Sequence, residues 1–433
     1  MAIYLGRHRG RQTAAVVASA AAILALLLNP AVAVASPTSA PPTSAPTGRI
    51  SLPPAHLAPV NVPGTTALGA AAVSLSKYGY TEREFYADGL ANRYRGAVGA
   101  AAQNATVIDS NNPYRTRVLV RTPSPARFNG TLIVEWTNVT IGVDADFVFA
   151  EASSDFLRQG YAYAVVSAQQ AGVARDVTWS PRRYGSLSVA ASNADPQGGT
   201  VDASGDPLSW DIFTQISEAL KINSGPNAPL PGLHVRNVIA TGQSQSASRL
   251  TTYYNTIQPL DNFFDGFVFW DRATAKLRSD VAVPSVSVNS EGLTPFYPLP
   301  FGTSTYTREW EVAGSTHGST IAEQYVDAMF NRDKSKIGQD GNPESFTQWV
   351  EPSCVTLPAF SPVPNGLVIA AATDQVKTWI QTGRPASPSI SFNRDGSGQL
   401  VRDANGHVTG GIQLSQFAVP TAQILALNGT GFP

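Results

Sequence analysis

A serine lies among small residues between a strand-like run and a helix-like run. The stretch GQSQS (242–246) has the small-x-Ser-x-small spacing of a nucleophile elbow, with serine in place of the usual last glycine. Small neighbours are needed because the serine of such a turn has a strained backbone. The apolar run 235–240 precedes the turn and the amphipathic pattern 245–257 follows it. This context favours Ser244 as a nucleophile over a serine that only shapes a turn.

A serine hydroxyl becomes a nucleophile when a base takes its proton and an acid orients that base. The chain has five histidines. His317 directly follows the strand-like run 308–313, in the loop GSTHG (314–318). This position makes it the candidate base, and a loop histidine with a purely structural hydrogen bond is the alternative. The remaining histidines lie in the N-terminal segment, upstream of the core, at the far end of the nucleophile strand and in a C-terminal turn: His8, His56, His234 and His407.

Two carboxylates follow strand-like runs between the serine and the histidine. Asp271 follows GFVFW (266–270), and Glu291 follows a later run, 284–288. The chain order serine, acid, histidine is satisfied by either residue. Glu291 is the preferred acid because it ends the second strand after the nucleophile strand, and Asp271 is the fallback. The alternative for both is a capping or ion-pairing role at a strand end.

The oxyanion hole of this motif uses the backbone N–H after the nucleophile and another from an earlier loop. The first would belong to Gln245. The second would come from the loop 137–142, at Asn138 or Val139. Asp144 and Asp146 follow this loop, but two carboxylates without further ligands are more often solvated than metal-bound. No metal or organic cofactor is predicted.

The surrounding sequence alternates strand-like and helix-like runs, which is typical of an α/β fold with a mostly parallel sheet and helices on both faces. The predicted strands are 131–136, 162–167, 235–240, 266–270, 284–288 and 308–313. The predicted helices are 147–159, 209–222, 245–257, 321–330 and 367–382. An insertion (168–234) and a C-terminal extension (334–433) could supply a lid or docking face. Core packing is the better interpretation for their tryptophans, Trp179, Trp210 and Trp379.

The N-terminal end differs in composition from the rest. Arginines at 7, 9 and 11 precede an uncharged run, 13–28, that is too short for a membrane span of about 20 residues. We interpret 1–35 as a signal peptide, 36–48 as a Pro/Ser/Thr/Ala-rich linker and 49–433 as a single domain. The protein is therefore expected to be secreted or otherwise extracytoplasmic, without a stable membrane anchor.

Composition limits the partners. The chain has 433 residues, 43% hydrophobic and 14% charged, with a formal net charge of −1. Such a balance argues against nucleic acid as a partner. Cys354 is the only cysteine, so no intrachain disulfide can form, and its irregular, proline-flanked surroundings indicate a loop cysteine rather than a nucleophile. The sequence does not indicate an oligomeric state.

Whole blocks of the sequence resemble a bacterial secreted α/β-hydrolase domain family. The blocks are NGTLIVEWTNV (129–139), LRQGYAYAVVSAQ (157–169), IATGQSQSASRL (239–250), DGFVFW (265–270), VSVNSEG (286–292) and REWEVAGSTHG (308–318). The resemblance extends over roughly residues 75–425. It implies an α/β-hydrolase fold and a serine hydrolase in which Ser244, Glu291 and His317 match nucleophile, acid and base.

Residues and resemblance together predict an exported serine hydrolase that cleaves carboxylic esters through an acyl-enzyme intermediate. The substrate could be a small molecule, a lipid or a polymer. Esters are preferred to amides because they are easier to cleave, but a peptidase or an acyltransferase with the same triad stays open. A secreted binding protein on a hydrolase scaffold is the alternative from another class.

Overall fold

The structure is a computed structural model that describes residues 52–97, 103–272, 275–295, 302–421, 423–424 and 426. The predicted signal peptide (1–35) and linker (36–48) lie outside the described residues. The predicted single domain is described from residue 52 onwards, apart from the gaps between those ranges.

One mixed sheet of nine strands forms the centre of the described part of the chain. In chain order the strands are β1 (His56–Pro59), β2 (Tyr80–Arg95), β3 (Thr106–Pro123), β4 (Thr131–Trp136), β5 (Ala162–Val166), β6 (Asn237–Gln243), β7 (Gly266–Trp270), β8 (Ser285–Ser290) and β9 (Thr307–Val312). Across the sheet they run β1-β2-β3-β5-β4-β6-β7-β8-β9. Strands β4 to β9 are mutually parallel, and β1, β2 and β3 join them through antiparallel pairings.

Helices cover both faces of this sheet. They are α1 (Phe147–Gln159), α2 (Gln170–Trp179), α3 (Pro181–Tyr184), α4 (Ser209–Ile222), α5 (Gln245–Thr256), α6 (Gln258–Asp261), α7 (Thr320–Asp333), α8 (Phe346–Val350), α9 (Asn365–Thr382) and α10 (Ser415–Ala418). Within the described residues, no helix combines the length and the apolar character needed to cross a membrane.

Two hydrophobic cores lie on the two sides of the sheet, because side chains along each strand point alternately to one face and the other. In β4, Leu132 and Val134 belong to the core that includes α4 and α5, whereas Ile133 points into the core built with α1, α7 and α9. Successive side chains of a strand point to opposite faces. Every residue of β4 is buried, which explains why the run reads as continuously apolar rather than alternating.

The predicted elements are present with small shifts at their ends. The nucleophile strand is Asn237–Gln243 rather than 235–240, and the helix predicted at 321–330 is Thr320–Asp333. Gly160 ends α1 in the left-handed conformation at φ 78°, as its place after the helix pattern suggests. The long antiparallel pair β2 and β3 was not predicted, because its polar-rich sequence carries a weaker strand signal.

The C-terminal extension (334–433) packs against the sheet more extensively than the sequence predicts. Helix α9 packs against β7 and β8 as one of the helices that cover the sheet. The segment after it runs beside β9, where Ile390 and Ile412 form parallel bridges to Trp310 and Val312. Trp210 and Trp379 are buried as predicted, and Trp179 is partly buried with its indole N–H donated to the Asp333 carbonyl at 2.8 Å.

Candidate active site

Ser244 lies at the sharp turn between β6 and α5. Its backbone has φ 55° and ψ −115°, a conformation rarely adopted by a residue with a side chain, and α5 begins at the next residue. A Cβ on Gly242 would lie 3.0 Å from the Ser246 hydroxyl oxygen, so position 242 must be small. That hydroxyl accepts a hydrogen bond from the Gln243 N–H at 3.0 Å and donates one to its carbonyl at 2.9 Å. The Ser246 side chain therefore stabilises the turn through two hydrogen bonds to the Gln243 backbone.

The imidazole of His317 lies between Ser244 and Asp271. Its Nε2 is 2.6 Å from Ser244 Oγ, and its Nδ1 is 2.7 Å from Asp271 Oδ2. All three side chains are buried or nearly so, and the Asp271 carboxylate is fully buried. In such a hydrogen-bonded line of serine, imidazole and carboxylate, a serine hydroxyl can be activated as a nucleophile.

The Asp271 carboxylate is held by donors from the neighbouring strand. Ser290, the last residue of β8, donates its backbone N–H to Oδ1 at 2.6 Å and its hydroxyl to Oδ2 at 2.8 Å. The backbone N–H of Asp271 itself donates to the Val288 carbonyl at 2.9 Å. The sequence does not indicate this role for Ser290, because nothing local distinguishes it from Ser287, the other serine in VSVNSEG.

The expectation that Glu291 orients the base is corrected by this geometry. Glu291 is buried, but its Oε2 accepts the backbone N–H of Gly314 at 2.8 Å and its Oε1 lies 2.8 Å from the Arg402 guanidinium. It therefore contacts the backbone of the base loop and not the imidazole. The fallback, Asp271, is better placed because β7 lies directly beside the nucleophile strand β6, whereas β8 is one strand further away.

The predicted oxyanion donors differ in the hydrogen bonding of their backbone N–H groups. Within the described part of the chain, neither the N–H of Gln245 nor that of Val139 is donated to a hydrogen-bond acceptor. The backbone N–H of Asn138, by contrast, is donated to the Ala145 carbonyl at 2.9 Å. The prediction that Asn138 offers a free backbone N–H is therefore wrong, whereas the N–H groups of Gln245, at the start of α5, and Val139, in the loop 137–142, have no acceptor among the described residues.

Buried ion pairs hold the loop that contains Val139. Asp144 accepts hydrogen bonds from Thr137 at 2.7 Å and Ser167 at 2.5 Å. Asp146 lies 2.6 Å from the guanidinium of Arg121. The expectation that Asp144 and Asp146 are solvated is thus wrong, because Arg117 and Arg121 of β3 are buried ion-pair partners of these carboxylates. Among the described residues, no group of three or more His, Cys, Asp or Glu side chains could hold a metal ion.

Gln243, directly before Ser244, connects this loop to His317. Its side-chain oxygen accepts from the Asn138 amide at 2.9 Å. Its side-chain nitrogen lies 3.1 Å from His317 Nε2 and donates to the His317 carbonyl at 3.1 Å. Gln243 is buried, so its amide is positioned by these contacts rather than by water. The elbow pattern marks this position only as variable, so its role could not be predicted.

Glu151 of α1 is a further buried carboxylate beside the base loop. Its oxygens accept the backbone N–H of Ser319 at 3.4 Å and of Gly366 at 3.3 Å, close to the first turns of α7 and α9. Burial raises the pKa of Glu151 to about 7, and these hydrogen bonds oppose the shift.

A cleft of roughly 530 Å³, partly open to solvent, lies over Ser244 and His317. Its lining is largely aromatic and aliphatic, with polar contributions from Gln243 and Thr140. Phe346 and Trp349 of α8 form part of the wall, together with Phe360. Part of the extension 334–433 therefore contributes to the cleft, whereas no residue of the insertion 168–234 lines it. Cys354 is a partly exposed free thiol outside the lining.

Fold and site together define a class. The chain belongs to the alpha/beta hydrolase domain family, whose family model matches residues 49–432. Family membership supports a hydrolase with a small-molecule substrate. The export expected from the sequence is not addressed by this match.

The comparisons with individual proteins add little. The search of curated proteins finds no match. Among solved structures, the chain is similar to a protein of Bacteroides fragilis NCTC 9343 described as an acetyl xylan esterase, at 12% identity and a TM-score of 0.25. The match spans 45% of this chain and 45% of that chain, so the two share less than half of their lengths. This likeness is too slight to bear on activity.

Proposed function

We propose that the protein is a serine hydrolase that cleaves carboxylic esters, with Ser244 as nucleophile, His317 as base and Asp271 as acid. The observation that carries the proposal is the pair of short contacts at His317. Nε2 lies 2.6 Å from Ser244 Oγ and Nδ1 lies 2.7 Å from Asp271 Oδ2, at the floor of the cleft. Geometry of this kind, rather than family membership alone, is what supports a specific chemistry.

The proton path follows from the hydrogen bonds. With Nδ1–H donated to Asp271, the imidazole is in the tautomer whose Nε2 can accept the Ser244 proton. As Ser244 Oγ attacks the ester carbonyl, His317 takes that proton and then returns it to the leaving alkoxide. Water repeats the sequence on the acyl-enzyme and releases the acid. The Asp271 carboxylate stabilises the imidazolium formed in each half-reaction.

The oxyanion that forms at the carbonyl would bind the free N–H groups of Gln245 and Val139. Helix α5 begins at Gln245, so the partial positive charge at its N-terminus adds to that stabilisation. Each such donor typically contributes a few kcal/mol to transition-state binding. A peptidase or an acyltransferase would use the same groups, and the ester is preferred because its alkoxide leaves more readily than an amine.

The experiment is activity-based labelling of the purified mature protein with a fluorophosphonate, combined with release of p-nitrophenol from short-chain p-nitrophenyl esters. We expect wild-type protein to label and to turn over, and Ser244→Ala to do neither. Ser248→Ala is a matched control, because this serine lies on the same helix and its buried hydroxyl has no hydrogen-bond partner among the described residues. Labelling that persists in Ser244→Ala contradicts the nucleophile. An unlabelled wild type favours the binding-protein alternative.

Export is a separate part of the proposal. The basic start, the apolar run 13–28 and the small residues near 31–35 support cleavage by a signal peptidase. Expression of the full chain in a secreting bacterial host should give an extracytoplasmic product whose N-terminal sequence begins near residue 36. A product that stays in the cytoplasm with residue 1 intact contradicts export.

A further inference from the structure

The cleft has an aromatic wall formed by Phe147, Phe346, Trp349 and Phe360. The Phe346 ring lies 5.5 Å from that of Phe360 and 6.0 Å from that of Trp349, measured between ring centroids. Phe147 completes this wall, with its ring 6.1 Å from that of Phe346. Aromatic faces carry negative electrostatic potential and attract cations that come within about 6 Å of the ring centre.

Among the described residues that line the cleft, Glu323 is the one carboxylate, and none is a lysine or an arginine. The Glu323 Oε1 lies 2.9 Å from the Thr347 hydroxyl oxygen, which also lies 2.5 Å from Asp327 Oδ2. This shared hydroxyl places the Glu323 carboxylate beside α8, next to Phe346. The residue also lies in the first turn of α7, where the helix dipole favours a negative charge.

Glu323 lies near two further carboxylates within the described part of the chain. Burial raises the pKa of Glu323, and the nearby carboxylates of Asp327 and Glu351 raise it further. None of these three carboxylates has a Lys, Arg or His nitrogen within 4.0 Å among the described residues. A cation in the cleft would relieve this repulsion, whereas an anion would add to it.

One side of the aromatic wall already accommodates a cation. The Lys336 ammonium lies 4.8 Å from the centre of the Trp349 ring. This ammonium is not among the groups that line the cleft, so it leaves the space near Glu323 available to a ligand.

We propose that the cleft selects esters that carry a quaternary or tertiary ammonium group, which would lie between the aromatic wall and Glu323. The inference rests on the proposed function for the reaction itself, but the cleft would bind the ammonium group whether or not the ester is cleaved. Glu323 is then a specificity-determining residue rather than a catalytic one.

Binding is tested without turnover, by titrating choline and its neutral carbon isostere, 3,3-dimethylbutan-1-ol, into Ser244→Ala protein. Calorimetry should give a dissociation constant for choline about tenfold lower, because cation–π and carboxylate contacts of this size favour the cation. Glu323→Gln should abolish the difference. Asp280→Asn is the control, because this exposed carboxylate pairs with Arg278 and does not line the cleft, and it should preserve the difference.

Turnover provides the second measurement. Two pairs of cationic and neutral substrates are compared. For the acyl group, the pair is p-nitrophenyl 4-(trimethylammonio)butanoate and p-nitrophenyl 5,5-dimethylhexanoate. For the alcohol, the pair is acetylcholine and 3,3-dimethylbutyl acetate. At least one cationic substrate should have a kcat/KM about tenfold above that of its isostere, and Glu323→Gln should remove the preference.

The outcomes separate the two proposals. Equal binding of choline and its isostere, or an equal preference in Glu323→Gln, overturns the cationic site even if both esters are cleaved. Selective choline binding without any ester cleavage or fluorophosphonate labelling supports the site and contradicts the proposed hydrolysis.

Discussion

Asp271 and Glu291 are buried carboxylates that follow the adjacent strands β7 and β8, and both contact the loop that carries His317. Asp271 accepts a hydrogen bond from the imidazole, and its other donors are the N–H and hydroxyl of Ser290, which carry no charge. Glu291 accepts a backbone N–H of the loop and forms an ion pair with Arg402. The two strand ends therefore present similar groups in different electrostatic surroundings.

The difference shows what an orienting acid requires besides its position. A carboxylate with only neutral donors keeps its full charge available to an imidazolium that forms beside it. A carboxylate that already faces a guanidinium is partly neutralised and is better suited to holding a loop. Glu291 thus anchors the base loop to the C-terminal segment, while Asp271 acts on the ring.

The largest effect is expected from Asp271→Asn. The substitution preserves size but places an amide where the imidazole needs an acceptor, so the wrong tautomer is favoured. We expect kcat for p-nitrophenyl ester cleavage to fall by about 10⁴-fold, the loss typical of this change in serine-protease triads. Circular dichroism and thermal unfolding should show that the fold persists. A loss below about tenfold would mean that Asp271 is not the orienting acid.

A pH experiment extends the comparison to Glu151, which holds the same loop two residues beyond His317. Its pKa is about 7 in the folded protein and 4.5 for an ordinary glutamate. Between these pH values the folded state binds a proton that the unfolded state has lost, so stability falls as pH rises.

The corresponding variant is Glu151→Gln, which stays neutral throughout. From pH 4.5 to 7, wild type should lose about 3 kcal/mol of unfolding free energy relative to the variant, measured by urea denaturation. Other buried acids contribute equally to both proteins and cancel in the difference. Parallel curves for the two proteins would contradict the raised pKa.

Gln243→Leu tests whether the base must also be held from the side opposite Asp271. Leucine has a similar size but lacks the amide that contacts Asn138 and His317. Because two or three hydrogen bonds of about 1 kcal/mol each are lost, kcat should fall tenfold to a hundredfold with little change in KM. Gln399→Leu, at an exposed surface position, is the control. Equal losses in both variants would indicate a general destabilisation.

Ser290→Ala separates the two donors that hold Asp271. The backbone N–H remains and only the hydroxyl contact to Oδ2 is lost. We expect a decrease of about tenfold in kcat, since a hydrogen bond to a charged group contributes about 1.5 kcal/mol or more. Restoration of activity in Ser290→Thr, which keeps a hydroxyl, would show that the contact itself matters.

The smallest effect is expected from Glu291→Gln. Glutamine still accepts the Gly314 N–H, and the Arg402 side chain is 45% exposed and can be solvated by water. Activity should change less than threefold and stability by about 1 kcal/mol, as for a half-exposed ion pair. Arg402→Gln should cost more stability, because it leaves a buried carboxylate unpaired. If Glu291→Gln inactivates the enzyme as severely as Asp271→Asn, the distinction between the two carboxylates fails.

Local patterns in the sequence determined much of the fold and part of the candidate site. The elbow at Ser244, the place of His317 after the last strand and the parallel order of strands could be predicted because short-range periodicity and turn residues carry them. The predicted bounds are correct for α1, β4 and β7, because each is a buried run whose two ends are clear in the sequence. Family membership, predicted from several blocks in order, is confirmed.

Only the tertiary structure decided which carboxylate meets the imidazole. Asp271 and Glu291 follow neighbouring strands. Which of the two contacts the imidazole depends on the position of the loop that carries His317 and on Arg402 of the C-terminal segment, which pairs with Glu291. Asp144 and Asp146 likewise can be buried because Arg117 and Arg121 of β3 form ion pairs with them. Such pairings join residues far apart in the chain, so no local pattern encodes them, and the free energy of a buried charge depends on partners that folding brings to it.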